Sequence, residues 1–169
     1  MLASRQLLLV LDNFEHLVDG APLVAELLAA APRLTILVTS RIRLRLSAEH
    51  VYRVPGLDIP ALTDSTAQLD ANESLQLFVD RARAGDAGFA LSDAGRPHVA
   101  EICRQLSGIP LAIALAASRV NVLPVSEIAV LVDRQLPFLT GGNRDLPDRQ
   151  RSMRDTIAWS YCLLGPAEQ

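Results

Sequence analysis

The feature that most constrains this chain is Leu7-Leu8-Leu9-Val10-Leu11, five consecutive apolar residues stopped at once by Asp12 and Asn13. The run shows no alternation of apolar and polar residues, so both faces of the element it forms are expected to be buried, as in a central strand of a parallel sheet. Its length suits a strand better than a helix, and a helical pattern follows it: Leu23, Val24, Leu27 and Leu28 fall on one helical face before Pro32 ends the segment. A second run, Leu34-Thr35-Ile36-Leu37-Val38, is apolar and β-branched and ends in Thr39-Ser40-Arg41. Strand, helix and strand in this succession form a βαβ unit, which places the two strand ends, Asp12 and Thr39-Ser40-Arg41, on the same edge of a parallel sheet. In open α/β sheets ligands sit outside the carboxyl ends of the strands. Asp12 therefore either faces a functional crevice or simply caps the helix that follows.

A third, shorter strand is predicted at His50-Val51-Tyr52-Arg53-Val54, ended by Pro55 and Gly56, and residues 57–69 read as a linker. Beyond the linker the pattern is helical. Asp70 and Glu73 have capping-box spacing ahead of the stripe Leu75, Phe78, Val79 and Ala82, and Gly85 ends that helix. Asp93 is expected to cap the next one, with the stripe Val99, Ile102, Cys103 and Leu106. Gly108 suits the position just past its end, and Pro110 the first position of a nearly all-apolar helix from Leu111 to Val120. Ser126 is expected to cap a helix carrying Ile128, Leu131 and Val132. A Gly/Pro loop from Pro137 to Pro147 then leads to a last helix, Arg149 to Leu164.

Composition narrows the chemistry. Half of the 169 residues are hydrophobic and 21% are charged, a globular balance with a sizeable core. The net charge of −3 gives no general attraction to nucleic acid. All 16 basic residues are Arg, so a P-loop lysine and Schiff-base chemistry are both excluded for these residues. The three histidines, His16, His50 and His98, and the two cysteines, Cys103 and Cys162, show no metal-ligand spacing. No apolar run reaches membrane-spanning length and no signal peptide is visible, which makes the cytoplasm the default location.

Four segments, in this order, carry a family resemblance: Leu7–His16, Val38–Arg41, Gly108-Ile109-Pro110-Leu111-Ala112, and Met153–Tyr161. Together they resemble the NB-ARC branch of the signal-transduction ATPases with numerous domains (STAND), most closely the ATPase core of large bacterial transcriptional regulators. The resemblance implies an α/β fold made of the C-terminal half of a P-loop NTPase parallel sheet, followed by an all-helical lid and the start of a winged-helix domain. The corresponding divisions are residues 1–62, 63–140 and 141–169.

The resemblance also implies roles. Leu7–Asp12 matches the Walker B strand, so Asp12 would hold Mg²⁺, largely through water. Arg41 matches a sensor arginine that meets the terminal phosphate of ATP, with Ser40 beside it. Gly108 and Pro110 match a lid motif whose proline packs by the adenine. Asn13 stands where the family has a second acid, which leaves Glu15 as the candidate catalytic carboxylate. The glycine-rich phosphate loop and its lysine are absent, so this chain alone is expected neither to hold ATP or ADP tightly nor to hydrolyse ATP. Its expected partners are an N-terminal P-loop segment and C-terminal winged-helix and sensor domains, with DNA reached only through other domains and no membrane contact. The alternative is a nucleotide-independent helical protein-interaction module, or a truncation without function. A DNA-reading helix-turn-helix around Gly108 does not suit the sequence, because Leu111 to Val120 offers almost no polar side chains to base edges.

Overall fold

The computed structural model describes residues 5–134, 139–140 and 151–162, and the chain divides into two compact units, Met1–Val54 and Pro55–Gln169.

In the first unit, β1 (Leu7–Leu11) and β2 (Leu34–Val38) pair in parallel, with Leu7 opposite Leu34 and Leu11 opposite Val38. A 3-10 helix (Phe14–Gly20) and α1 (Ala21–Ala30) make the crossover. Pro22 sits in the first turn of α1, where its missing N–H is no loss. Phe14, Ala21 and Val24 form the small core, and Leu11, Leu28, Ile36, Val38, Leu44 and Leu46 pack on it. Leu9, Leu11, Ile36 and Val38 thus point to the covered face. Leu8, Val10 and Leu37 alternate with them and are more than half exposed. The unbroken apolar run in β1 predicts two buried faces; the structure covers one.

The predicted third strand does not form. Val51, Tyr52 and Val54 are 50%, 82% and 84% exposed and have no ladder partner among the described residues. The physical reason is that a strand, unlike a helix, satisfies its backbone only through a neighbour. The architecture expected from the resemblance is therefore corrected. A two-stranded parallel sheet in a mostly helical chain is not the C-terminal half of a P-loop NTPase sheet followed by a helical lid.

The second unit is helical: α2 (Thr66–Ala71), α3 (Glu73–Gly85), α4 (Arg96–Gln105), α5 (Pro110–Ala117), α6 (Val125–Arg134) and α7 (Met153–Cys162). α3 packs on α5 and α4 on α6. The core is built from the stripes the spacing predicts: Leu75, Phe78 and Ala82 of α3, and Val99, Ile102 and Cys103 of α4, all buried. Burial pushes the Cys103 thiol up to about 12, as expected for a small apolar filler rather than a reactive group. α5 is apolar on every side and contributes Ala112, Ile113, Leu115, Ala116 and Ala117 to this core.

Several helix starts differ from expectation. The capping box is Ser65 with Gln68, which begins α2 inside the stretch read as a linker. Asn72 caps α3 through bonds to the Ser74 and Leu75 N–H groups. Asp70 instead accepts from Arg96 at 2.7 Å, and Asp93 also pairs with Arg96 rather than capping α4. Ser92 closes the turn before α4, with its hydroxyl accepting from the Gly95 N–H. α6 begins at Val125, where the Pro124 carbonyl accepts from Glu127 and Ile128. α7 begins at Met153, capped by Ser152 through the Asp155 N–H. Of the loop expected from Pro137 to Pro147 and the helix expected from Arg149 to Leu164, residues 137–138, 141–150 and 163–164 lie outside the described residues.

Candidate functional site

Both strands of the first unit end in polar residues, and the register brings those ends together. Leu11 stands opposite Val38, so Asp12 and Thr39 are the next pair. The ladder continues one step beyond the strands: the Thr39 N–H donates to the Leu11 carbonyl at 2.9 Å, and the Phe14 N–H donates to the Thr39 carbonyl at 3.0 Å. The Thr39 hydroxyl donates to Asp12 Oδ1 and accepts from the Asn13 N–H at 3.0 Å. The Asn13 side-chain amide donates to Asp12 Oδ2 at 3.3 Å. Asp12 is exposed, so both of its oxygens keep lone pairs for a ligand.

Asn13 has a left-handed backbone, φ 56°, a conformation Asn tolerates better than most residues. That single reversal turns the chain out of β1 and into the 3-10 helix, which puts Phe14 in the core and Glu15 behind the strand ends. The Glu15 side chain is only 2% exposed, and Oε1 lies 3.6 Å from Arg41 Nε. Its other oxygen, Oε2, is buried without a hydrogen-bond partner. Arg41 itself stays 43% exposed.

Ser40 is used locally: its hydroxyl donates to the Ile42 carbonyl at 2.7 Å and accepts from the Ile42 N–H at 3.2 Å, which folds the turn after β2. The following loop is held by Glu49, whose carboxylate accepts from the Leu44 N–H at 3.2 Å and the Arg45 N–H at 2.8 Å. A concavity of about 660 Å³ beside it is lined by Ile42, Arg43, Arg45, Leu46 and Ser47.

The first unit thus brings Asp12, Glu15, Ser40 and Arg41 to one end of one small sheet. Gly108 and Pro110 belong to the second unit, and there they have local roles. Gly108 has φ +65° and ends α4, its N–H donating to the Cys103 carbonyl at 3.2 Å. A Cβ on it would lie 2.2 Å from the Leu57 carbonyl oxygen, and the Leu57 N–H donates to the Gly108 carbonyl at 3.0 Å. Only glycine permits that approach. Pro110 opens α5 and remains exposed.

Thr39 is the residue that motif reading undervalued. The signal was available, because a parallel register that matches the two apolar runs end to end puts the residue after Val38 opposite Asp12. The Glu15–Arg41 pair was not available from spacing, since it depends on the left-handed turn at Asn13.

As a Mg²⁺ site, the strand end offers one carboxylate and one hydroxyl. Among the described residues no group of three or more His, Cys, Asp or Glu side chains comes together. This set fits Mg²⁺ only in the manner usual for that ion, in which one or two protein carboxylates share it with water and substrate phosphates.

The chain is similar over nearly its whole length to proteins of mycobacteria. It is 43% identical over 169 residues to a Mycobacterium tuberculosis protein named "Putative HTH-type transcriptional regulator", covering 99% of this chain and 18% of that protein. A Mycobacterium bovis protein of the same name gives the same values. An uncharacterized protein of Mycobacterium tuberculosis is 41% identical over 169 residues, covering 98% of this chain and 40% of that protein. The chain therefore spans well under half the length of these relatives. No protein-family model matches it, and no solved structure does. Among the described residues no helix is long and apolar enough to cross a membrane.

Proposed function

We propose that these residues form an internal module of a larger transcriptional regulator, and that the strand end around Asp12 and Arg41 reads the phosphates of ATP or ADP as part of a signalling switch. The name carried by the 43%-identical relatives supports the first half of this reading. One observation carries the second half. A carboxylate, a hydroxyl and a guanidinium from Asp12, Thr39 and Arg41 follow the carboxyl ends of two adjacent parallel strands, with Asp12 and Thr39 directly bonded. That is where ligands of parallel sheets sit.

In this reading Arg41 meets the terminal phosphate by charge and by the fork of its guanidinium. Asp12, steadied by Thr39 and Asn13, would hold Mg²⁺. When bound, the ion would neutralise phosphate charge and fix the polyphosphate's orientation. Ser40 shapes the turn that carries Arg41. Gly108 and Pro110 keep their local roles in the helical unit, the one ending α4 and the other opening α5. Glu15 is assigned to Arg41 rather than to proton abstraction, because its carboxylate is buried. The chain has no lysine, so a phosphate cradle with that residue has to be supplied from outside these residues. DNA contact is assigned to other parts of such a regulator.

The test is nucleotide binding by a regulator that contains this module. Mg·ADP should bind, Arg41→Gln should weaken it, and Asp12→Ala should remove the Mg²⁺ requirement. Equal binding by all three proteins would refute the reading. The 169-residue chain by itself should release no phosphate from ATP above a buffer control.

A further inference from the structure

We infer that Glu15 is the positioning residue of the strand-end site: it holds the Arg41 guanidinium inward, and an incoming phosphate group must take Arg41 from it. This deepens the proposed function and rests on Arg41 being the phosphate reader. Three observations carry it. The Glu15 side chain is 2% exposed while Arg41 is 43% exposed, so the carboxylate is the fixed member of the pair and the arginine the adaptable one. The contact is loose, 3.6 Å from Nε to Oε1, well outside the separation of a tight charge-assisted hydrogen bond. Oε2 is buried with no hydrogen-bond partner, so the pair falls short of the two-point geometry that an Arg–carboxylate fork reaches when both groups are free to align.

A phosphate dianion offers Arg41 what Glu15 does not, namely several accessible acceptor oxygens and a second negative charge. Phosphate and Glu15 therefore compete for the same guanidinium. Glu15 lowers the affinity of the site for phosphate, and in return it keeps Arg41 at the strand end when no ligand is there. Asp12 is the other carboxylate of this strand end, turned toward Thr39 and Asn13 by its own bonds. Its charge is common to every variant in the comparison below.

The experiment follows the Arg41 Nε–H signal by NMR in the full 169-residue chain as inorganic pyrophosphate is added, in wild type, in Glu15→Gln, and in Glu15→Gln/Arg41→Gln. The double variant removes both charges together, so it strands no buried carboxylate, and backbone amide signals of residues 12–42 report its binding. Glu15→Gln should bind pyrophosphate about two- to five-fold more tightly than wild type, the range of a partly exposed ion pair. The double variant should lose the response. Equal affinity in wild type and Glu15→Gln, with loss in the double variant, would overturn the role of Glu15 and leave Arg41 as the reader. A double variant that binds like Glu15→Gln would overturn the Arg41 assignment as well. Absence of a response in both wild type and Glu15→Gln would overturn both.

Discussion

In the helical unit, Phe78, Val99, Ile102, Ile113 and Ile128 are each at 0% exposure, whereas in the strand unit Leu8, Val10 and Leu37 are 58%, 55% and 55% exposed. The two strands are more apolar in sequence than α3 or α4, so hydrophobicity does not account for the contrast. Connectivity does. A helix satisfies its own backbone and needs only one packed stripe, and six helices in succession can cover one another. A strand needs neighbours on its edges and layers on both faces. Two strands and one crossover, the 3-10 helix and α1, provide a single covered face. The chemistry-bearing residues Asp12, Thr39 and Arg41 stand at the end of this half-covered sheet, while the well-packed unit carries mainly apolar side chains and paired charges such as Arg104 with Glu101.

The sharpest way to break this comparison is to truncate a buried side chain in one region and an exposed one in the other. Phe78→Ala should destabilise the helical unit by about 3–5 kcal/mol, the usual result of emptying a closed aromatic site. Val10→Ala, on the open face, should change stability by no more than about 0.5 kcal/mol. Chemical denaturation followed by residue-specific NMR signals checks both. A large loss for Val10→Ala would mean that its face is covered in solution.

Gly108→Ala comes next. The left-handed backbone and the approach of Leu57 leave no room for a methyl group, so a loss of about 3 kcal/mol is expected in the helical unit. A loss below about 1 kcal/mol would show that the turn relaxes.

A smaller effect separates the two members of the Glu15–Arg41 pair. Arg41→Gln leaves a carboxylate whose side chain is 2% exposed, while Glu15→Gln leaves a guanidinium that is 43% exposed to water. The first should cost about 1–2 kcal/mol, discounted from a fully buried pair because Arg41 is screened by solvent. The second should cost less than about 1 kcal/mol, because water already reaches the guanidinium. Reversal of that order in thermal unfolding of the strand unit would contradict the assignment of Glu15 as the fixed partner.

The smallest effect on stability has the clearest readout in association. Replacing Leu8 and Val10 together by Thr should leave unfolding unchanged within about 0.5 kcal/mol. It should also reduce concentration-dependent self-association in sedimentation, because an exposed apolar strand invites edge and face pairing. Identical sedimentation of the two proteins would show that the open face is not adhesive.

Much of this contrast could be read from the residues, and the part that could not has a physical cause. The two strands, the stripe Leu75–Phe78–Ala82, the stripe Val99–Ile102–Cys103 and the punctuation at Gly108 and Pro110 follow from periodicity and turn chemistry, which are local. Val51–Val54 has the composition of a strand, but strand formation is decided by a neighbour that local reading cannot supply. Capping misled in a related way. Asp70 and Glu73 have suitable spacing, yet Asp70 is drawn to Arg96, and the working box, Ser65 with Gln68, was present in the same stretch as an equally regular pattern. At the candidate site, Asp12 and Arg41 stood out as polar residues ending apolar runs. Thr39 needed the register, and Glu15 as a partner of Arg41 needed the left-handed turn at Asn13. Three of the five residues of the β1 run, Leu7, Leu8 and Val10, stay exposed because the run records what can be buried, and burial itself depends on what lies against it.

The central claim is that the strand end binds nucleotide phosphates with Mg²⁺ at Asp12. Its most direct test is calorimetric titration of Mg·ADP, and of ADP in chelator, into a regulator containing these residues, with and without Asp12→Ala. The account predicts that the unaltered protein binds ADP more tightly with Mg²⁺ than without it, and that Asp12→Ala binds with one affinity in both conditions. A Mg²⁺ effect of the same size in Asp12→Ala, in a protein whose folding is unchanged, would contradict it.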